Sequence, residues 1–301
     1  MIVPGTAQGI RVGTASKPAE VGVGVSLWQR SRQLLFDALG IAVAAVMLFP
    51  IYWMVATAFK PGRDILSLTP KWFPAPFTLQ NFEDAITRPY FIDDIKNSLM
   101  IVGSMLVLAL TIGFLAAVGA ARFGFRGRTA YLVMIIAVQM VPLNSLIIPL
   151  YLQLDGIGQV DALPGVIAVY LAAVLPFMIW TLRGFVANIP VELEESAMID
   201  GSTRFGAFWR ITFPLVAPGL VATAIFSCIQ AWNEYIIAYI LLSSPHNQTL
   251  TVWLASFTTN HGPQWGPLMA GATITGLPVV AFFLLLQRYL VGGLTAGSVK
   301  G

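Results

Sequence analysis

The sequence predicts an all-α integral membrane protein with six transmembrane helices and both termini in the cytoplasm. Three observations carry this: charge is scarce, charge-free windows of bilayer length recur, and Lys and Arg segregate to alternate connections. Of 301 residues, 57% are hydrophobic and 10% are charged. A solvated surface takes roughly 25% charged residues, so hydrocarbon is the natural solvent of this chain. One cysteine, Cys228, excludes an intramolecular disulfide framework and reads as a small buried residue. Two histidines, His246 and His261, are too few for a histidine metal centre.

A span needs about 20 apolar residues to cross ~30 Å of hydrocarbon. Residues 1–33 hold no apolar run long enough for a signal peptide and read as a loose cytoplasmic tail. The intervals free of Asp, Glu, Lys and Arg then place spans over 38–59, 98–121, 130–151, 163–182, 219–242 and 268–290. The connection at 60–97, rich in Pro and aromatic residues, reads either as an interfacial segment or as an ordinary packed connector. Span three carries Gln139, Asn144 and Ser145 beside Pro142, and span six carries Thr273, Thr275 and Pro278; such prolines imply kinks near a cavity.

Orientation follows from the basic residues. Arg11, Lys17, Arg30 and Arg32 precede span one, and Arg122, Arg126 and Arg128 separate spans two and three. Arg183, Arg204 and Arg210 separate four and five, and Arg288 and Lys300 end the chain. The other side holds Lys60, Arg63, Lys71, Arg88 and Lys96 in one loop, offset there by five acids. The loops at 152–162 and 243–267 have no basic residue.

The connection between spans four and five is longer than a return crossing requires. Glu192, Glu194 and Glu195 follow Pro190, where the positive end of a helix dipole favours acids. Gly201 stops this first short helix, Ser202 or Thr203 caps a second, and Pro214 ends it. Phe205, Phe208, Trp209 and Thr212 give the second helix one mostly apolar stripe. Helices of this length are marginal alone and must dock on something. The residues by themselves leave two readings, an interfacial helix without a partner or a docking element.

The run Glu195-Ser-Ala197-Met-Ile-Asp200-Gly201, followed by Ile211 and Phe213-Pro214-Leu215, resembles the cytoplasmic signature loop of permease subunits of binding-protein-dependent ABC importers. Ser196 and Phe213 depart slightly from the usual pattern, while the spacing is intact. Ala58-Phe59-Lys60, Ala231-Trp232-Asn233-Glu234 and the C-terminal run from Gln287 to Gly301 resemble the carbohydrate importers, in particular the maltose-type second permease subunit.

That resemblance implies a non-catalytic subunit of a bacterial or archaeal plasma-membrane importer. Its partners would be a second homologous permease, two cytosolic ATPases and an extracytoplasmic sugar-binding protein. Membrane lipid surrounds it and no nucleic acid takes part. ATP and Mg would sit on the ATPases, and the chain has no Gly-rich phosphate loop ending in Gly-Lys-Ser/Thr. Segment 188–214 would be the coupling loop, carrying Glu195, Ala197, Asp200, Gly201 and Arg204. Glu195 would meet a basic ATPase residue, Asp200 would support the turn and Gly201 would allow it. Thr295, Gly297 and Lys300 would reach the ATPases from a tail freed by its glycines. Asn247, His261 and Trp265 would contact the binding protein.

Within the bilayer the one clear charge is Glu234, which with Ser227, Gln230 and Asn233 makes a stripe on span five. Such an acid faces a cavity or a partner. Gln230, Asn233, Glu234 and Asn144 are therefore expected to line the pathway, with hydrogen-bonded packing as the other role for Glu234. A lone intramembrane acid argues against an ion-coupled transporter. The absence of a facing acid pair or an intramembrane His argues against a membrane enzyme. The sugar itself is not legible, and permeases for phosphorylated polyols share these motifs.

Overall fold

The computed structural model describes residues 27–296. Two compact units divide at Pro50/Ile51. The first is described from Leu27 onward as helix, the start of α1 (Leu27–Ala58). In the second, the connection after α1 contains α2 (Gly62–Ile65) and α3 (Gln80–Ile86), then α4 (Phe91–Arg122). Next come α5 (Arg128–Gln139), a 3₁₀ turn over Leu143–Leu146, α6 (Ile147–Gly156) and α7 (Leu163–Ala187). Short helices α8 (Val191–Ile199) and α9 (Arg204–Ala207) lead through a π-turn, Phe208–Thr212, into α10 (Phe213–Trp232). Helix α11 (Ile236–Leu241), a 3₁₀ turn over Pro245–Asn247, α12 (Leu250–Ala255), a hairpin of β1 (Thr258–Thr259) and β2 (Gly262–Pro263), and α13 (Trp265–Ala296) complete the described chain.

Five of these helices are long and apolar enough to cross a bilayer, and the number is six when α5 and α6, bent by 87° at their break, are counted as one span. The break follows Pro142, which cannot donate to the preceding turn and here opens the 3₁₀ segment. Span three is therefore two helices at a sharp angle, where the sequence led us to expect one kinked helix.

Four other expectations change. Span two begins at Phe91, seven residues before the expected 98, because Asp93 and Asp94 are accommodated in the first helical turn. Span five ends at Trp232 and not at 242, since Asn233 caps α10 and a separate helix follows. Pro214 does not end the second coupling helix. The Phe213 N–H bonds back to Phe208, five residues away, so the backbone is wider here; Pro214, lacking an N–H, falls in the first turn of α10. Span six runs on to Ala296, so Gly292, Gly293 and Thr295 lie in helix; Gly297 and Lys300 lie outside the described residues.

The core sits where α4 packs along α7, and α10 packs on both. Ile101, Met105, Met178 and Leu182 are fully buried there. In lipid, helices gain little from hydrophobicity alone and associate through close packing of small residues. Gly113 of α4 supplies that closeness, because a Cβ there would lie 3.0 Å from the Met178 sulfur. Gly219 of α10 does the same against Phe185, with a Cβ only 2.5 Å from the ring.

The connection at 60–90 is a packed connector. Asn81 donates to the Ala58 and Lys60 carbonyls at 2.8 Å, and Phe59 stacks on Phe77 at 4.7 Å. The Lys60 ammonium lies 3.9 Å from the Trp53 ring centroid. Burial pushes its pKa below the ordinary lysine value, partly opposed by nearby Asp64.

Candidate functional site

The segment between α7 and α10 is built residue by residue from its termini. Helix α8 ends in a Schellman motif: Ser202 N–H bonds to the Ala197 carbonyl at 2.9 Å, and Gly201 N–H to Met198 at 3.1 Å. Gly201 adopts φ = 90°, a left-handed conformation that a side chain disfavours. Thr203, and not Ser202, caps α9, accepting from Gly206 N–H at 3.1 Å. Glu195, Asp200, Gly201 and Arg204 are exposed, and Ala197 is half-buried. None of the three charged side chains has an ion pair among the described residues, so Glu195 and Asp200 offer free negative charge at the end of the bundle.

Glu194, one residue away, is turned inward. Its Oε1 lies 2.8 Å from Arg122 Nη2 and accepts from Thr212 Oγ1 at 2.6 Å. Arg122, the last residue of α4, also donates to the Ile189 carbonyl at 3.0 Å. The sequence marked Arg122 only as an orientation charge and Glu194 only as a dipole acid. No local spacing joins residues 72 positions apart, which is why this cluster was missed.

A second feature lies within the bundle. The bend of the broken span, the middle of α7 and the end of α10 line a half-open hollow of about 550 Å³. Gln139 and Gln230 supply its amides, and Phe177 and Phe226, with ring centroids 4.3 Å apart, supply aromatic faces. No ionisable side chain lines it.

The other expected pathway residues are not brought there. Asn144 is exposed in the 3₁₀ turn, and Asn233 bonds back to the Ile229 carbonyl at 2.8 Å. Glu234 accepts from Tyr170 Oη at 2.8 Å and from the Ile237 and Ala238 N–H groups at 3.0–3.1 Å. It caps the free N–H groups at the start of α11. The stripe expected on span five therefore splits, because α10 stops at Trp232 and the helical phase is lost before Glu234. Ser227 is buried and Thr273 bonds its own helix.

The opposite end of the bundle is fastened through Asp161. Its N–H bonds to the Leu241 carbonyl at 2.7 Å, its carbonyl accepts from Asn247 Nδ2 at 2.7 Å, and its carboxylate accepts from Ser244 N–H at 2.9 Å and from Ser244 Oγ. Burial alone would raise the Asp161 pKa. The hydrogen bonds from Ser244, Asn247 and Ser243 outweigh burial and hold it below the ordinary carboxylate value. Asn247 is thus half-buried and engaged, whereas His261 at the hairpin tip and Trp265 at the start of α13 are exposed. Trp265 lines a cleft of about 660 Å³ with Gln80, Asp84 and Gln264.

Residues 109–295 match the profile of the family described as binding-protein-dependent transport system inner membrane component. The chain belongs to that family. This permease is 41% identical over 275 residues to the diacetylchitobiose uptake system permease DasC of Streptomyces coelicolor, covering 90% of this chain and all of the relative. It is 32% identical over 273 residues to the trehalose/maltose permease MalG of Thermococcus litoralis, covering 90% and 98%. The permease shares its fold with a chain of a bacterial ABC transporter involved in alginate import, with a TM-score of 0.74 at 19% identity, covering 88% and 98%. It is accordingly a multi-pass inner-membrane transport component.

Proposed function

We propose that this permease forms half of the translocation pathway of an ATP-driven sugar importer and couples ATPase closure to alternating access. The observation that carries this is the α8–α9 segment: exposed Glu195 and Asp200, without an ion pair among the described residues, stand at a glycine-dependent turn. Such a surface complements a basic cleft, and a partly desolvated charge pair there sets partner choice. The turn faces the cytosol, where two ATPase subunits carry ATP and Mg and perform the hydrolysis. A second homologous permease completes the pathway, and Thr295, Gly297 and Lys300 are the tail residues proposed to contact the ATPases. An extracytoplasmic binding protein docks at the opposite face, near His261, Trp265 and the loop held by Asn247.

Gln139 and Gln230 are the residues of this chain that meet the sugar in transit. Amides hydrogen-bond hydroxyls, and the Phe177 and Phe226 faces accept the apolar C–H surfaces of a pyranose. The relatives named for diacetylchitobiose and for trehalose and maltose support a di- or oligosaccharide substrate.

The test is a detergent pull-down of the ATPase together with ATP hydrolysis in reconstituted vesicles, stimulated by the sugar-loaded binding protein. Glu195→Lys should weaken association at least tenfold, since repulsion replaces attraction in a partly dry contact. Gly201→Pro should abolish stimulated hydrolysis because proline cannot adopt positive φ. Normal association and hydrolysis in both variants would reduce the segment to an interfacial helix. Titration of the binding protein with diacetylchitobiose, trehalose and maltose identifies the sugar.

A further inference from the structure

Pressure on the α8–α9 turn could reach the membrane through the covalent chain alone, or through side-chain contacts that bypass it. The covalent route into α10 passes the π-turn Phe208–Thr212, whose i→i+5 bonding is less regular than an α-turn. The route back into α7 passes the non-helical residues Asn188 to Pro190. Neither connection is an uninterrupted α-helix.

One carboxylate bridges both breaks. Glu194 Oε1 meets Thr212 Oγ1 at 2.6 Å, in the last residue of the π-turn, and Arg122 Nη2 at 2.8 Å, at the tip of α4. The same guanidinium holds the Ile189 carbonyl, in the break after α7, at 3.0 Å. The Arg122 and Glu194 side chains are only 12% and 20% exposed, so water competes weakly for these contacts. From Arg122 the path continues along α4, whose Gly113 admits Met178 of α7, and α7 forms one wall of the Gln139–Gln230 cavity.

We infer that Arg122, Glu194 and Thr212 form a clamp that makes the ends of α4, α7 and α10 move as one body with the coupling helix. The clamp is a set of positioning residues: it transmits displacement and does not itself contact the ATPase. This rests on the coupling role proposed above for α8–α9. The Arg122 guanidinium pairs with the carboxylate through Nη2 and donates to the carbonyl through Nη1, two contacts on separate nitrogens that a single lysine ammonium does not reproduce.

The test uses the assembled importer in detergent, with spin labels at Val138 and Ile229, near the cavity, in a Cys228→Ala background. ATP with vanadate should shift the label distance in the parent. Glu194→Gln, Arg122→Gln and Thr212→Val should retain ATPase association and hydrolysis while reducing the shifted fraction about fivefold or more. Arg122→Lys should fall between, and Thr212→Ser should restore the parent response. A full shift in the Glu194→Gln and Thr212→Val variants would overturn the clamp while leaving the coupling segment standing. Loss of ATPase association in those variants would also overturn it, because Glu194 would then be part of the contact. If the parent complex shows no association through α8–α9, the coupling role itself fails.

Discussion

Asp161 gathers two loops through its backbone and its carboxylate, and its ionised form is the one that the surrounding donors favour. Its folded pKa lies below the unfolded value of about 3.9. The stability it contributes is therefore fully present above that unfolded value and is lost as pH falls through the folded pKa. Asp161→Asn should lower stability in detergent at neutral pH by about 1.5–3 kcal/mol, the scale of one charge-assisted hydrogen bond. The gap between parent and variant should close once the pH is well below about 4. A gap that ignores pH would show that shape, and not charge, does the holding. Nothing local in the sequence marks Asp161, because its partners Leu241, Ser244 and Asn247 arrive from 80 or more residues away. The same reason hides Tyr170 from Glu234. Glu234 was legible as an unusual intramembrane acid, but the stop at Trp232 that makes it a cap was not.

At the scale of helices, most of the architecture is readable because charge-free length and capping chemistry are local properties. The Gly201 turn, the Thr203 cap and the disturbance after Pro142 each follow from one or two residues. What is not readable is how a helix absorbs an awkward residue. Pro214 looked like a stop and instead begins α10 after a widened turn. Close approaches are equally silent, since Gly219 gives no sign in sequence that Phe185 lies against it. Gly219→Val should destabilise the bundle by about 1–3 kcal/mol through overpacking. Adding Phe185→Ala should recover much of that loss in detergent thermal denaturation, since the ring is what a Cβ would meet at 2.5 Å. Failure of the second change to help would place the strain elsewhere.

For the whole molecule, the segregation of Lys and Arg fixes an orientation that a labelling experiment can read. Single cysteines replacing Arg126 or Arg204, in a Cys228→Ala background, should react only with cytosolic maleimide. Those replacing Leu68 or His261, all exposed positions, should react only from the opposite side. Reaction of any one from the wrong side would overturn the assignment of α8–α9 to the cytosol. Glu195 and Asp200 are exposed on the α8–α9 segment, whereas no charged side chain lines the Gln139–Gln230 hollow.

The π-turn between Ala207 and Phe213 has a further meaning. It holds one residue more than the α-turn it replaces, which offsets the angular phase of α9 from that of α10 by about 100°. The amphipathic faces of the two segments were therefore set independently, with the extra residue acting as the coupling between two differently clocked shafts. A change in chain length at this point acts as a rotation and not as a shortening. Losing one residue would turn α9 about the axis of α10 by that same angle.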